Sequence, residues 1–550
     1  MEYVKRNTYS SPEEMILANL GVNSAVELNE WFKKSYSDNY KIKGLSEAVN
    51  FAKKFINQKV TIVGDYDVDG DTSTSILLLG LKEFGFKDVS FRIPLRFTEG
   101  FGISETIIDE IDSGLIITCD NGIAGIEAVK KAKEKGLSVI ITDHHEPIIV
   151  DGKTVLPNAD YIINPNAIQG SAEFTGYCGA GIAYKFICEL FGFDKRIRYK
   201  YLSLAAIGTV ADVMQLREEN YVFVRNALKI MHNPAYTTTG LSALLSVFKL
   251  SNGVKADDIA FRIGPALNAA SRMKDDGAKD AINLLTFNGS MEKALSMAER
   301  IKAVNEKRKE VESETLDRAL ALIKKEHREN LCPLTLYIPS AREGIIGIIA
   351  GHLCELYHVP TLVFTDIKKN GAIFYKGSAR SCEGYNIKEA FDRHSEFFTV
   401  YGGHAGAAGM TITPENFDPL TEALNNDAHG FALPDTNKIY YDFMIKEDET
   451  PTMISILEKY APFGEGNPEP IFALHFDPVI KYGAYRKVLG ANQTTIKLFG
   501  KTIDAISFSL AKEFESLDEK TPLNIIGKVS NNYYKGRAYP QIEIQNYQPC

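Results

Sequence analysis

The chain has no apolar run of about 18 residues or more, so it has no membrane-spanning helix to offer. Its N-terminus, MEYVKRNTYSSPEEM, lacks the apolar core of a signal peptide; export is not expected, and a cytoplasmic location is. The seven cysteines (Cys119, Cys178, Cys188, Cys332, Cys354, Cys382, Cys550) are odd in number, scattered and free of any CxxC spacing. That argues for reduced thiols and against a disulfide framework or a zinc site. No Ser-His-Asp or Cys-His signature stands out. An excess of positive charge is lacking too: the net charge is −9. This argues only weakly against a nucleic-acid binder, because metal-binding carboxylates count as negative. Residues 477–550 are the exception, with ten Lys+Arg against seven Asp+Glu.

What remains is a soluble globular composition, 45% hydrophobic and 24% charged. At 550 residues the chain has room for roughly three or four domains. From about residue 45 to 215, short apolar runs alternate with helical stretches. KVTIVGD, GLIITCDN, GLSVIITDHH and ADYIINPN each end in a polar cluster, which is the rhythm of a parallel sheet buried on both faces. Residues 200–290 read as mostly helical, and 291–329, without Gly or Pro and dense in mixed charge, as one long helix joining two domains. A second α/β unit follows. After about residue 437 short strands dominate (VIKYGAY, TTIKLFG, LNIIGKVS, PQIEIQ), enough for a small barrel of the OB type. The expected division is a helical N-terminal segment 1–45, a catalytic domain 46–290, a connecting helix 291–330, a smaller α/β domain 331–436 and an OB-like domain 437–550.

In open α/β sheets, ligands sit at the carboxyl ends of the strands. GDYDVDGD, CDN and DHHE all fall there. Four aspartates at every second position (Asp65, Asp67, Asp69, Asp71) would repel one another unless cations sit among them. Asp67, Asp69, Asp65, Asp120, His144, His145 and, in GTVADVM, Asp212 form a set of carboxylates with imidazoles that suits Mn²⁺ or Mg²⁺. Two ions about 3.5–4 Å apart would need such a set with one bridging carboxylate. Acid–base help alone contributes about 10²–10⁴-fold, too little for a hydrolytic enzyme. Tyr533, Tyr534 and Tyr539 in YYKGRAYP interleave with Lys535 and Arg537 and could stack bases of any sequence.

These motifs resemble the DHH phosphoesterase superfamily and, within it, the RecJ single-strand DNA exonucleases. GDYDVDG, ITCDN, TDHHEP and GTVADV resemble the four DHH motifs, and YGGHAGAAG resembles the glycine-rich motif of the DHHA1 domain. IPLRFTEGFGIS, IGPALNAASR, REGIIGIIAGHL, GSARS and PFGEGNPEP resemble RecJ stretches. The resemblance implies Asp67 on one metal ion and Asp69 on the other, Asp120 bridging, His144 and Asp212 completing the second site, and His145 facing the scissile phosphate. It implies phosphate recognition by Arg96, Arg272, Ser378 and Arg380, with donors around Gly403 and His404. Two positions depart from the pattern. Val63 stands where related phosphatases often carry a histidine, leaving the first site to Asp65 or water. Ser271 stands where a glycine is expected beside Arg272.

The implied function is 5′-to-3′ hydrolysis of single-stranded DNA in repair and recombination, by a monomer working with a helicase or single-strand-binding protein. The competing readings are a DHH phosphoesterase for short oligonucleotides or cyclic dinucleotides, and a non-catalytic DNA-binding relative. The long helix and the basic, aromatic C-terminal region disfavour the first, and the intact acid–histidine set disfavours the second.

Overall fold

The structure is a computed structural model that describes residues 2–36, 40–150, 152–167, 170–369, 371–428, 437–490, 493–534 and 537–550. Its first sheet is fully parallel, in the order Asp88–Arg92, Lys59–Val63, Leu115–Cys119, Ser138–Thr142, Tyr161–Ile163. Alternate residues feed two separate cores. Val60, Ile62, Leu115, Ile117 and Ile140 pack under the helices Val68–Phe84, Gly179–Leu190 and Lys195–Ala211. Val63, Ile116, Val139 and Ile141 pack on the opposite face against Ile107, Ile108 and Val129. Burial on both faces is why these strands read as unbroken apolar runs.

The helix Met291–Lys325 carries one buried stripe along its length: Ala294, Ala298, Ile301, Asn305, Arg308, Thr315, Ala319 and Ile323. At about 1.5 Å per residue it spans roughly 50 Å. Its first half packs into the core of the parallel-sheet domain and its second half into the core of the next one. That next domain has a mixed five-stranded sheet in the order Val400–His404, Ala407–Ile412, Ala372–Arg380, Thr361–Lys369, Leu334–Tyr337.

The C-terminal domain is OB-like. Its seven-stranded sheet runs Phe443–Met444, Phe472–Phe476, Leu523–Tyr534, Arg537–Pro549, Asp504–Ser507, Thr495–Phe499, Arg486–Leu489 in space. The bridge between Pro478 and Gly500, with Val479 N donating to Phe499 O at 2.8 Å, sets the chain just after Phe472–Phe476 against the end of Thr495–Phe499.

The N-terminal segment is not the purely helical unit expected from its sequence. Glu2–Lys5 is a strand that pairs in parallel with Lys438–Tyr441. The helices Pro12–Leu20 and Ala25–Tyr36 then bury Met15, Ile16, Leu20 and Leu28 in the same core as Phe443, Leu457 and Phe472. Arg6 grips the fully buried Asp442 carboxylate with two bonds, Nε–Oδ1 at 3.0 Å and Nη2–Oδ2 at 2.7 Å. The two ends of the chain are therefore one folded body. Among the described residues, no helix is long and apolar enough to cross a membrane.

Candidate metal centre and phosphate site

Each acidic cluster emerges from a strand end of the parallel sheet. Asp67 caps the helix Val68–Phe84, its carboxylate accepting from Gly70 N at 3.0 Å. Asp69, two residues on, points instead at the N-terminus of Gly179–Leu190 and accepts from Gly179 N at 2.5 Å and Ala180 N at 2.8 Å. Backbone amides at a helix start favour an anion there. Asp120 leaves its strand with a left-handed φ of 61°, which turns its carboxylate toward the other acids. Gly179 permits this approach, because a Cβ there would lie 2.5 Å from Asp120 Cβ.

Three groups of ligand atoms result, each within 4.8 Å: Asp65, Asp67 and Asp120; Asp69, His144 and Asp212; Asp120, His144 and His145. His144 Nε2 lies 3.1 Å from Asp120 Oδ1, 3.7 Å from Asp212 Oδ2 and 3.9 Å from Asp69 Oδ2. Asp120 belongs to the Asp65–Asp67 group and to the His144–His145 group, and His144 links it in turn to Asp69 and Asp212. Val63 is fully buried in the apolar core, and the ligand atom that groups with those of Asp67 and Asp120 is a carboxylate oxygen of Asp65.

The donor set fits divalent cations on physical grounds. Among the described residues Asp65 Oδ1 is buried without a hydrogen-bond partner, and the buried Asp120 Oδ1 has His144 Nε2 at 3.1 Å but no aligned hydrogen bond. Burial and then neighbouring acids push Asp65 and Asp120 well above the usual carboxylate range, and Asp212 up to about 8. Buried carboxylates without donors are costly unless a cation joins them. Asp71 lies outside the three groups; it is fully buried, its carboxylate has no hydrogen-bond partner among the described residues, and it too is pushed up, first by burial and then by Asp67 and Asp65.

Several residues that support the site were not picked out from the sequence. Asp143, the acid of the DHH triplet, is a brace. It accepts from Ile123 N, His144 N, His145 N and His145 Nδ1, the last at 2.8 Å. Burial opposes charge on His145, but the bond and charge of Asp143 outweigh it and raise the imidazole to about 9. Asn164 Nδ2 donates to His145 O at 2.9 Å and Asn166 Nδ2 to His144 O at 2.6 Å, holding the histidine turn from below. Phe101, half exposed, sets its ring edge-on to His145 at 5.3 Å and to Tyr66 at 6.5 Å.

Arg96, Arg272 and Arg380 converge from three elements. Arg96 lies over the Tyr66 ring at 4.5 Å, and its Nη1 is 3.5 Å from Ser271 Oγ. Ser271 causes no distortion; the helix Gly264–Met273 runs through it. Arg272 donates to Gly344 O at 3.2 Å, at the start of helix Glu343–Tyr357. One turn along that helix, a Cβ on Gly347 would lie 2.9 Å from Ser378 Oγ and 3.3 Å from Arg380 Nη2. Burial first, then the neighbouring Arg96, Arg308 and Arg380, lowers Arg272 to about 9. Among the described residues no carboxylate makes a salt bridge with Arg96, Arg272 or Arg380. Gly403 and His404 stand two strands from Arg380: Arg380 pairs with Ala407, and Ala407 with His404. Both are exposed at the hairpin end.

The C-terminal tyrosines are not brought together. Tyr533 pairs with Ala538 and Tyr539 with Asn532, and adjacent positions of a strand face opposite ways. Tyr533 turns its hydroxyl to Glu458 at 3.2 Å, while Tyr539 shares a face with Arg537. The side chain of Tyr534, with Lys535, lies outside the described residues.

Comparison with known proteins agrees with this arrangement. The family described as "DHH family, N-terminal domain" matches residues 59–209, "DHHA1 domain" matches 332–429 and "RecJ OB domain" matches 442–546. The chain is RecJ-like, matching the DHH, DHHA1 and RecJ OB domains in that order. A relative from Bacillus subtilis, named single-stranded-DNA-specific exonuclease RecJ, is 32% identical over 93% of the chain; the chain spans 64% of that relative's length. The proteins of the same name from Haemophilus influenzae and Escherichia coli are each 29% identical, with 94% and 95% of their lengths covered. The crystal structure of RecJ with Mn²⁺ from Thermus thermophilus superposes with a TM-score of 0.77 at 25% identity, over 100% of this chain and 79% of that one. A manganese-bound RecJ exonuclease structure gives 0.59 at 28% identity, over 72% and 96%.

Proposed function

We propose that the chain is a metal-dependent exonuclease that shortens single-stranded DNA from its 5′ end, with Mn²⁺ or Mg²⁺ held by Asp65, Asp67, Asp69, Asp120, His144 and Asp212. The observation that carries this reading is the sharing of the buried Asp120 between the Asp65–Asp67 group and the His144–His145 group, beside guanidinium groups that have no carboxylate salt bridge among the described residues. Divalent ions so bound supply Lewis acidity and a water acidified toward neutral pH. The chain's own residues do the rest. Arg96, Arg272 and Arg380 present forked donors to phosphate oxygens. His145, charged near neutral pH by its bond to Asp143, adds a proton donor and a positive charge at the open side of the centre. A 5′-labelled single strand incubated with Mn²⁺ and with EDTA tests the reading: mononucleotides should appear only with the metal. Intact DNA in both tubes overturns it. A cytoplasmic setting and a helicase or single-strand-binding protein that delivers the strand belong to the same reading.

Phe101 enters this reading as a base platform. It keeps half its ring exposed while packed against His145, so a base stacked on it would lie next to the metal centre. Base–aromatic stacking contributes about 1–3 kcal/mol per base. Phe101→Ala is expected to raise KM for short strands accordingly, and Phe101→Tyr to preserve it. An unchanged KM in the alanine variant would remove the platform.

The hairpin makes a sharper prediction than loss of the whole C-terminal domain, since truncation near residue 437 would also strip the partner surface of the N-terminal helices. Tyr539→Ala should weaken capture of long strands by about 1–3 kcal/mol. Arg537→Ala should lower the salt slope by roughly 0.7 if it meets one phosphate. Tyr533→Ala, on the Glu458 side, should change neither. Filter-binding across a salt series checks all three.

A further inference from the structure

We infer that the turn Gly464–Asn467 of the C-terminal domain positions Asp212 in the metal centre, acting through Leu216 and Arg217. The inference deepens the proposed function and rests on its metal reading. Among the carboxylates around His144, Asp212 is the least enclosed: its side chain is 30% exposed, against 1% for Asp69 and 3% for Asp120. Its neighbours hold it less than the course of its backbone does. Asp212 caps the end of helix Lys195–Ala211, with its N donating to Gly208 O at 2.9 Å. The next residue, Val213, is left-handed (φ 54°) and exposed, and the chain leaves the helix there.

Two anchors catch the departing loop. On the catalytic side, Asn220 Nδ2 reaches both Gln215 O (3.1 Å) and Gly176 O (2.6 Å), tying the Asp212 loop to the segment whose Gly179 amide holds Asp69. On the other side the anchor is the PFGEGNPEP stretch. Leu216 N donates to Glu465 O at 2.7 Å, and Arg217 Nε donates to Gly466 O at 3.1 Å. The Leu216 side chain is buried against Gly464, where a Cβ would come within 2.9 Å of it.

The turn is built to stay rigid. Gly464 and Asn467 exchange backbone bonds at 3.0 and 3.1 Å, and the fully buried Asn467 donates its Nδ2 to Pro462 O at 3.0 Å. Gly466 adopts φ 71°, a conformation that β-branched residues avoid and asparagine tolerates. A carboxylate ligand whose loop is clamped from another domain ties the seating of that domain to the completeness of the metal centre. This accounts for a motif that neither the ligand set nor phosphate recognition uses.

The test uses the full chain stripped with EDTA and then titrated with Mn²⁺, read by calorimetry or by electron paramagnetic resonance. The wild type should take up two ions. Gly466→Val should bind one of them about 10–100-fold more weakly, the range seen when the supports of metal ligands are lost. The other ion should be unaffected. On a dinucleotide, too short to engage the C-terminal domain, the variant's kcat should fall at low Mn²⁺ and recover at high Mn²⁺. Gly466→Asn should restore both properties. Normal binding of both ions by Gly466→Val, with only KM for long strands raised, would overturn the inference and leave the turn as a plain interdomain contact. Should Gly466→Val not fold, the exposed Arg217→Ala removes only the bond to Gly466 O, and unchanged Mn²⁺ binding there overturns the inference equally. A wild type that takes up no second ion would overturn the metal reading itself, a result distinct from failure of the turn.

Discussion

Replacing Asp120 by alanine is expected to abolish exonuclease activity while single strands are still bound. Asp120 is the carboxylate common to the Asp65–Asp67 and His144–His145 groups, and its Oδ1 is 3.1 Å from His144 Nε2. In the proposed two-ion reading its removal would take a ligand from both ions at once. The strand is held elsewhere, by guanidinium groups and rings on other elements, so a gel-shift with the variant should resemble wild type. Activity above a few per cent with Mn²⁺ would remove Asp120 from the bridging position. A second consequence concerns the metal-free protein, and Asp120→Asn is the better probe because asparagine keeps the left-handed φ of 61° that alanine disfavours. Burial and then Asp69, Asp67 and other acids raise the Asp120 carboxyl in the folded state, so the fold holds a proton that the unfolded chain releases above about 3.9. Folding stability in EDTA therefore falls as pH rises from there through the folded-state value. The asparagine variant escapes this loss. Its Tm in EDTA should exceed the wild-type Tm by a margin that grows with pH, and the order should reverse in Mn²⁺. Equal Tm values in EDTA across pH would mean that the acids do not repel.

The catalytic half was legible in the sequence because its signals are local. A buried parallel strand reads as an apolar run, and the residue after it stands at the ligand edge; Asp65, Asp67, Asp120, His144 and His145 all follow such runs. Asp212 follows a helix rather than a strand, so it was picked out as a further carboxylate in GTVADVM without the strand-end signal, and the resemblance then gave it a place in the second site. The supports were hidden because they act across the chain. Gly179 serves Asp69 from 110 residues away, and nothing near Asn164 or Asn166 announces that they hold the backbone of the histidine turn. Asp143 was visible as a letter of the triplet, but its role as a brace depends on which way the strand end twists. The opposite facing of Tyr533 and Tyr539 did have a signal: two residues separate the paired Tyr534 and Arg537, and counting outward from that connection gives the register. The docking of Glu2–Lys5 on Lys438–Tyr441 had none, since a parallel pairing over so long a separation leaves no periodic trace in either segment.

Arg380 is expected to sense the strand end, so that a substrate with a 5′-phosphate reacts faster than one ending in a hydroxyl. Arg380 closes the strand Ala372–Arg380 with its guanidinium braced by Ala379 O at 2.8 Å and Ser378 Oγ at 3.3 Å. Burial lowers its pKa below the usual guanidinium range, the mark of a cation stripped of water and not repaid by a carboxylate. The helix carrying Gly344 and Gly347 places Arg272 one turn away, so a terminal phosphate would meet two forks together. Charge-assisted bonds contribute roughly 1.5–3 kcal/mol each, partly offset by dehydration of the phosphate. Even one net kilocalorie gives about a fivefold preference at 25 °C. Arg380→Ala should erase most of that preference and slow the phosphorylated substrate selectively. Arg380→Lys should restore only part of it, because an ammonium keeps the charge and loses the fork. Ser378→Ala should fall between, since it frees the guanidinium without removing it. The measurement is kcat/KM on matched oligonucleotides that differ only at the 5′ end. Equal rates for both ends in the wild type, or an equal loss on both in Arg380→Ala, would show that the strand end is recognised elsewhere. The exposed Gly403–His404 hairpin end, two strands away across the same sheet, would then be the next place to substitute.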